Sequence, residues 1–484
     1  MQKNDFVEIT IEDMGAKGEG IGKVDGYPLF VKGAIIGDRV RVKITKANKN
    51  FGFARVSKMI STSKHRVEAR CAVASPCGGC QLQEMDYRKQ LEFKEKKVYE
   101  HLRRIGGFSE QALIKRTEPI IGMKNPYNYR NKGAFPFGVD KTGIIITGFY
   151  AERTHDIIPN TKCHIGVSTN KRILEVVIDY MKKNKVPPYD EKRGKGVIRH
   201  VLIRHGFRTE ETMVCLVVNS NKKVALTNVN FLVKELEKVP GITSIVVNYN
   251  VYKTNVIMGD KWEALWGKDY IAEILFDPEG EGLRYQISPL SFFQVNPIQT
   301  EKLYALALEY ADLKGKEIVW DLYCGIGTIS LFLSKRAKKV IGVEIVPQAI
   351  ADAKENARIN KIENVEFVAG KAEEVFREYY GEELLEEPPS YEIGENQKSF
   401  PEVLVLDPPR KGCDEGLLEA ILEVKPERII YISCDSATLA RDLKILCEKE
   451  YKLTKVRPVD MFPMTVHVET VALLSKLKKQ EIIL

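Results

Sequence analysis

Between about residue 300 and the end of the chain, apolar runs of strand length recur between helical stretches: IVWDLYCG, VIGVEI, VEFVAG, VLVLDPP and RIIYISC. Strands that are apolar on both faces must be covered on both faces, and helices alternating with them supply that cover. The pattern predicts a doubly wound, Rossmann-like α/β domain with a parallel sheet, over residues 286–484. In such a sheet ligands bind beyond the carboxyl ends of the strands, so the residues closing each apolar run are the candidates for chemistry.

The first run ends in Tyr-Cys-Gly-Ile-Gly-Thr, with Gly325 and Gly327 but no third glycine, so it is not the dinucleotide fingerprint. Asp321 precedes the turn, and Glu344 closes the next run, where a carboxylate can take ribose hydroxyls. Carboxylates repel a pyrophosphate but tolerate a cationic sulfonium, which makes the turn similar to that of S-adenosylmethionine-dependent methyltransferases. Asp407 closes VLVLDPPRKG, and Pro408 and Pro409 fix a rigid backbone where a planar ring can dock. Cys434 closes RIIYISC, just before a helix capped by Asp435 or Ser436. The helix N-terminus is expected to favour its thiolate; burial as a small hydrophobe is the competing reading. In MTVHVETVALLS, read as a strand, His467 and Glu469 share one face, and Glu469 becomes a candidate base beside Cys434.

Residues 1–60 differ in texture. Short alternating runs between glycines predict a small β-barrel of oligonucleotide-binding size. Its last strands carry Arg41, Lys43, Lys46, Lys49, Arg55 and Lys58 with Phe51 and Phe53 interleaved, suited to phosphate contacts and base stacking. The net charge of +8 agrees with a polyanionic partner. Residues 61–285 form a mixed α+β zone. It opens with a charged amphipathic helix using Leu91, Val98 and Leu102, and RGKGVIRHVLIRHGFR reads either as a second polyanion surface or as a hairpin with a wet face. The acid- and proline-rich stretch Glu378–Glu402 reads as an insertion loop without chemistry.

No apolar run reaches the ~18 residues of a membrane span, and the first residues lack the pattern of a secretory signal. A cytoplasmic, reducing location is expected, where nine cysteines point to metal or catalysis before disulfides. Cys71, Cys77 and Cys80 fall in CAVASPCGGC, and Cys163 follows in NTKCHIG. Four thiolates suit either zinc or an iron–sulfur cluster, and spacing alone leaves both open.

Taken in order, SFFQVN, DLYCGIGT, GVE, DPPRKG, SCDSATLARD and HVETV resemble the RNA uridine-5-methyltransferases, in particular the RumA-like ribosomal branch, over nearly the whole chain. The N-terminal barrel is similar to a TRAM domain. The resemblance implies Cys434 as nucleophile, Glu469 as base, and Gln294, Tyr323, Glu344 and Asp407 as cofactor contacts; Lys371 departs from the Asn or Asp of some relatives. It also implies a [4Fe-4S] cluster on Cys71, Cys77, Cys80 and Cys163, and a monomer acting on 23S ribosomal RNA. Phe292 and Phe293 are candidates for holding a flipped base, with core packing expected for at least one. Three other readings remain: the same chemistry on transfer RNA, an exocyclic-amine methyltransferase that would not need Cys434, and a non-enzymatic iron–sulfur RNA-binding protein.

Overall fold

A computed structural model describes residues 1–222, 226–380 and 401–478. Most of the acidic stretch from Glu378 to Glu402 therefore lies outside the described residues.

The N-terminal sheet has the spatial order Phe6–Thr10, Arg39–Ala47, Gly52–Ser61, Tyr27–Lys32, Gly20–Val24, Asp13–Met14. Along Arg39–Ala47 the side chains alternate, with Val40, Val42 and Ile44 fully buried and Arg41 and Lys46 outside. Phe51 and Phe53 remain partly exposed and meet Phe30 in a three-ring cluster with centroids 5.6–5.9 Å apart. This outward arrangement of aromatics and cations is the one expected of the RNA-binding barrel.

A central seven-stranded sheet follows, from Lys261–Gly267 at one edge to Ile157–Pro159 at the other. Here one expectation fails. The strand part of RGKGVIRHVLIRHGFR has no wet face, because Ile198–His205 lies inside the sheet between Thr212–Val218 and Lys132–Val139, whereas Arg193, Lys195 and Arg208 at its ends stay exposed. Arg199, His200 and Arg204 are buried. Arg199 donates to the carbonyls of Asn250 and Tyr252, and Arg204 to those of Pro289 and Ser291. Guanidinium groups tolerate such burial when carbonyls satisfy their fork of donors.

The C-terminal sheet runs Val365–Ala369, Lys339–Glu344, Ile318–Leu322, Val403–Leu406, Arg428–Ser433, Glu469–Lys476, Tyr451–Val459. Pairing is parallel across the first five strands, whereas Glu469–Lys476 is antiparallel to both neighbours. Strand order reverses between Ile318–Leu322 and Val403–Leu406, and a topological switch point opens a crevice there. The sheet is apolar on both faces: Val319, Val405 and Ile430 join one core, and Trp320, Leu404 and Tyr431 the other. Trp320 is fully buried with its ring 5.4 Å from Phe376 in an edge-to-face contact.

The helix Tyr87–Arg104 joins the cysteine segment to this domain. Asp86 caps it by accepting from the amide of Lys89, and His101, Arg103 and Arg104 complement its dipole at the other end. Val98 and Leu102 are buried as the periodicity predicts, but Leu91 is only half-buried while Phe93 and Lys94 are buried.

Candidate active site

A cavity of about 920 Å³ opens at the carboxyl end of the C-terminal sheet and extends to the four-cysteine segment. Gln294, Tyr323, Glu344, Asp407, Cys434 and Glu469 all line it, as do Cys71, Cys77, Cys80 and Cys163. The residues singled out from the sequence thus meet in one space.

The glycine turn forms the floor. Tyr323 adopts φ 71°, an uncommon conformation for a residue with a side chain and one that concentrates at functional sites. Its amide and that of Cys324 donate to the Val343 carbonyl, at 2.9 and 3.0 Å. Gly325, at φ 57°, has open space where a Cβ would stand, whereas a Cβ on Gly327 would come within 2.7 Å of the Phe367 ring. The first glycine leaves room for a ligand and the second allows close packing. The Glu344 carboxylate accepts from the amides of Gly325 and Val346, at 3.2 and 3.0 Å, which fixes it at the rim. Asp321 points elsewhere: it is fully buried and hydrogen-bonded to Ser330, so its part is to hold the turn from beneath. Burial pushes its carboxyl up to about 7.

The sheet register sets the reacting groups. Arg428–Ser433 pairs with Glu469–Lys476 in antiparallel register, ending with Ser433 opposite Thr470. Cys434 follows Ser433 and Glu469 precedes Thr470, so both stand at the same end of this pairing, and both line the cavity. Asp407 closes the neighbouring parallel strand. Burial pushes Asp407 up to about 7 and Glu469 well above the usual carboxylate range, the latter also opposed by Asp407 and eased by Arg410.

Cys434 corrects the sequence expectation. The helix Ser436–Cys447 does begin beside it, capped by Asp435, which accepts from the amide of Ala437. Its N-terminus does not prevail, however. Burial, then Glu469 and Asp407, push the thiol up to about 11 against a lowering by Arg410. At neutral pH the protonated thiol therefore predominates.

The two phenylalanines divide as expected: Phe293 is buried, while Phe292 is 63% exposed and lines the cavity with Lys132 Nζ 6.0 Å from its ring centroid. Lys371 lines the cavity but pairs with Glu374. Arg410 was not singled out from the sequence; its cationic place after the two prolines was the available signal. Lys132 carried no signal at all, being one cation among many. Burial and the nearby Arg204 and Arg130 push its ammonium down to about 7.

At the far end of the cavity burial raises Cys77, Cys163 and, to about 12, Cys80, with neighbouring thiols adding to each rise. Amides are aimed at them: Gly79 N donates to Cys77 Sγ at 3.4 Å and Asn160 Nδ2 to Cys71 Sγ at 3.7 Å. None of the nine cysteines is in a disulfide. Among the described residues no three His, Cys, Asp or Glu side chains are gathered closely enough to hold a metal, which favours neither zinc nor an iron–sulfur cluster on these four cysteines.

Comparison with known proteins gives this geometry a family. A model described as tRNA (uracil-5-)-methyltransferase matches residues 247–477, and a TRAM domain model matches residues 2–57. RNA methyltransferases of Clostridium tetani and Clostridium acetobutylicum are 46% and 47% identical to this chain, over 98% and 99% of it and 97% and 99% of their own lengths. The crystal structure of the Pyrococcus abyssi tRNA (uracil-54, C5)-methyltransferase with S-adenosyl-L-homocysteine superposes with a TM-score of 0.72 at 27% identity, covering 97% of this chain and 100% of that one. The N-terminal TRAM barrel, the doubly wound catalytic domain and the occupied strand ends agree with these matches throughout, and the chain belongs to the S-adenosylmethionine-dependent RNA (uracil-5-)-methyltransferase family.

Proposed function

We propose that this enzyme methylates carbon-5 of a uridine in 23S ribosomal RNA through a covalent adduct on Cys434. The observation that carries the reading is that Cys434 and Glu469 flank the last rung of one pairing, Ser433 with Thr470, and line one cavity with Asp407, which follows the adjacent strand. Carbon-5 of uracil is too weak a nucleophile to be methylated directly. Addition of Cys434 Sγ to carbon-6, with the thiol proton passing to Asp407 so that Glu469 stays free to act as base, moves the ring electrons into an enolate with charge at carbon-5. S-adenosylmethionine, when bound, supplies an electrophilic methyl group. Carbon-5 takes it, and the neutral thioether is left. Glu469 then removes the carbon-5 proton; the C–H electrons re-form the double bond, the carbon–sulfur bond breaks and Cys434 leaves as thiolate.

The raised carboxyls fit this sequence. A cation arriving beside Asp407 and Glu469 favours their charged forms, so cofactor binding and readiness of the base are linked. Glu344 would take the ribose hydroxyls, Gly325 the close backbone approach, and Tyr323 and Gln294 the flanks. Phe292 offers an exposed ring on which a flipped base can stack. On the barrel, the Phe30, Phe51 and Phe53 cluster with the cations around it would grip single-stranded RNA.

Cys71, Cys77, Cys80 and Cys163 would hold a [4Fe-4S] cluster. The four thiols line one end of the cavity, and amides donate to two of the sulfurs; such a donor set would suit a polynuclear group that stiffens this wall. A monomer in the reducing cytosol is the setting this reading requires. Transfer RNA is the second reading, favoured by the Pyrococcus abyssi likeness over 97% of the chain. Incubation with 23S ribosomal and transfer RNA fragments carrying 5-fluorouridine tests both. Fluorine cannot leave as a proton, so a denaturation-resistant adduct is expected with the ribosomal fragment and not with Cys434→Ala; an adduct confined to transfer RNA reverses the substrate assignment. Methyl transfer to ordinary RNA by Cys434→Ala would remove the covalent mechanism and promote exocyclic-amine methylation.

A further inference from the structure

The strand Tyr451–Val459 and the strand Glu469–Lys476 are joined by residues 460–468, and Val459 pairs with Glu469 itself. Both ends of this connection therefore meet at the proposed base. Phe462, Thr465 and His467 project from it into the cavity. Its internal bonding includes Thr465 Oγ1 to the Phe462 carbonyl, at 2.8 Å, and it turns through Met464 at φ 69°. Most of its restraint comes from outside.

One stripe of the helix Tyr87–Arg104 supplies part of that restraint, beside Gln81, Leu82, Tyr129, Asn296 and Gln299 from elsewhere in the fold. Tyr87, Gln90, Lys94 and Lys97 are spaced at three and four residues, so they share a face. Tyr87 OH donates to Asp460 Oδ2 at 2.8 Å. Gln90 Oε1 accepts from the Met464 amide at 3.0 Å, and Lys97 Nζ donates to the Val466 carbonyl at 3.0 Å. Lys94 makes two such contacts. Its Nζ donates to Asp460 Oδ1 at 2.5 Å and to the Phe462 carbonyl at 3.0 Å, with both charged side chains fully buried. A buried ion pair contributes little net stability against an apolar replacement, but it fixes geometry wherever its hydrogen bonds are complete. Four polar residues facing one loop, with a buried ammonium clamping two of its points, exceed what attaching a helix requires.

We propose that Lys94 is a positioning residue for proton removal: by clamping Asp460 and the Phe462 carbonyl it sets the loop from which Glu469 faces carbon-5. The proposal rests on the Cys434 and Glu469 assignments above. Methyl transfer precedes proton removal, so a displaced Glu469 halts the reaction after the methylated adduct has formed. A misplacement near 1 Å can slow such a step on the order of 10²-fold.

The test uses the full chain as wild type, Lys94→Met and Lys94→Met/Asp460→Asn, the double variant keeping the site foldable by leaving no buried charge without its partner. Product formation and denaturation-resistant protein–RNA adduct are followed on ordinary uridine RNA and on 5-fluorouridine RNA. The expected result is turnover lowered on the order of 10²-fold with the adduct on ordinary RNA accumulating, while the 5-fluorouridine adduct forms at the wild-type rate. Turnover and both adducts falling in parallel would reduce Lys94 to a structural residue and overturn the proposal, as would unchanged turnover in the double variant. Absence of the 5-fluorouridine adduct in wild type is a distinct failure: it removes the covalent reading and this one with it.

Discussion

The barrel and the crevice use the same kinds of side chain in opposite ways. On the barrel, Arg41 and Lys46 stand on exposed strand positions, Arg41 over the Phe6 ring and Lys46 opposite Phe53. In the crevice, Asp321, Asp407 and Glu469 are withdrawn from water and hold their protons to unusually high pH. Exposed charges act by number, through an attraction that salt screens. Buried ones act by position and protonation state. Binding by the barrel should therefore decline in small, additive steps, whereas catalysis in the crevice should fail in large ones.

The largest step belongs to Cys434. Cys434→Ala is expected to lower methyl transfer by at least about 10⁴-fold, as loss of a nucleophile does, with RNA affinity retained; filter binding beside a methyl-transfer assay separates the two, and comparable losses in both would erase the contrast. Next is the scaffold beneath the crevice: Trp320→Ala should reduce unfolding free energy by about 3–5 kcal/mol, read from urea titrations, with a loss below 1 kcal/mol showing that the sheet is not packed as described. On the barrel, Phe53→Ala should weaken RNA binding by about 1–3 kcal/mol at unchanged kcat. A change in kcat instead would place the barrel inside the chemistry.

The pH dependence comes next in size. Because Asp407 titrates near 7, S-adenosylmethionine binding should tighten as pH rises from about 5.5 to 7, approaching tenfold per unit per linked carboxyl, and level off above. S-adenosylhomocysteine, without the sulfonium charge, should follow pH less steeply, and Asp407→Asn should flatten the S-adenosylmethionine curve. The sign for stability is opposite. Carboxyls raised by folding keep protons that the unfolded chain releases, so the ligand-free protein should lose stability as pH climbs from about 4 to 7. Calorimetric titration at four pH values checks the binding; parallel curves for the two ligands would refute the charge linkage. The smallest effect is Lys43→Ala, which should reduce the slope of log affinity against log salt by about 0.7–0.9.

Much of this was legible because apolar periodicity and strand ends are local signals. The five parallel runs marked the catalytic sheet, and a residue at the end of each run entered the cavity: Tyr323, Glu344, Gly370, Asp407 and Cys434. What stayed hidden depended on distant partners. Arg199 and Arg204 read as solvated because nothing near them in sequence shows the carbonyls that satisfy them. Lys94 looked like one more surface lysine in a charged helix, and its carboxylate partner lies 366 residues away. The direction of the Cys434 shift was misjudged for the same reason: the helix N-terminus is adjacent in sequence, whereas Glu469 and Asp407, which outweigh it, arrive from other strands.

The pairing of Arg428–Ser433 with Glu469–Lys476 has one more consequence. Side chains along a strand alternate between faces, so the face on which Glu469 stands is set by the register of that pairing. A slip of Glu469–Lys476 by one residue against its neighbours would turn the carboxyl to the opposite face, whereas a slip of two would restore the face one rung displaced. A residue added to the connection 460–468 leaves the carboxyl where it is as long as the pairing holds, so register rather than connection length carries the constraint.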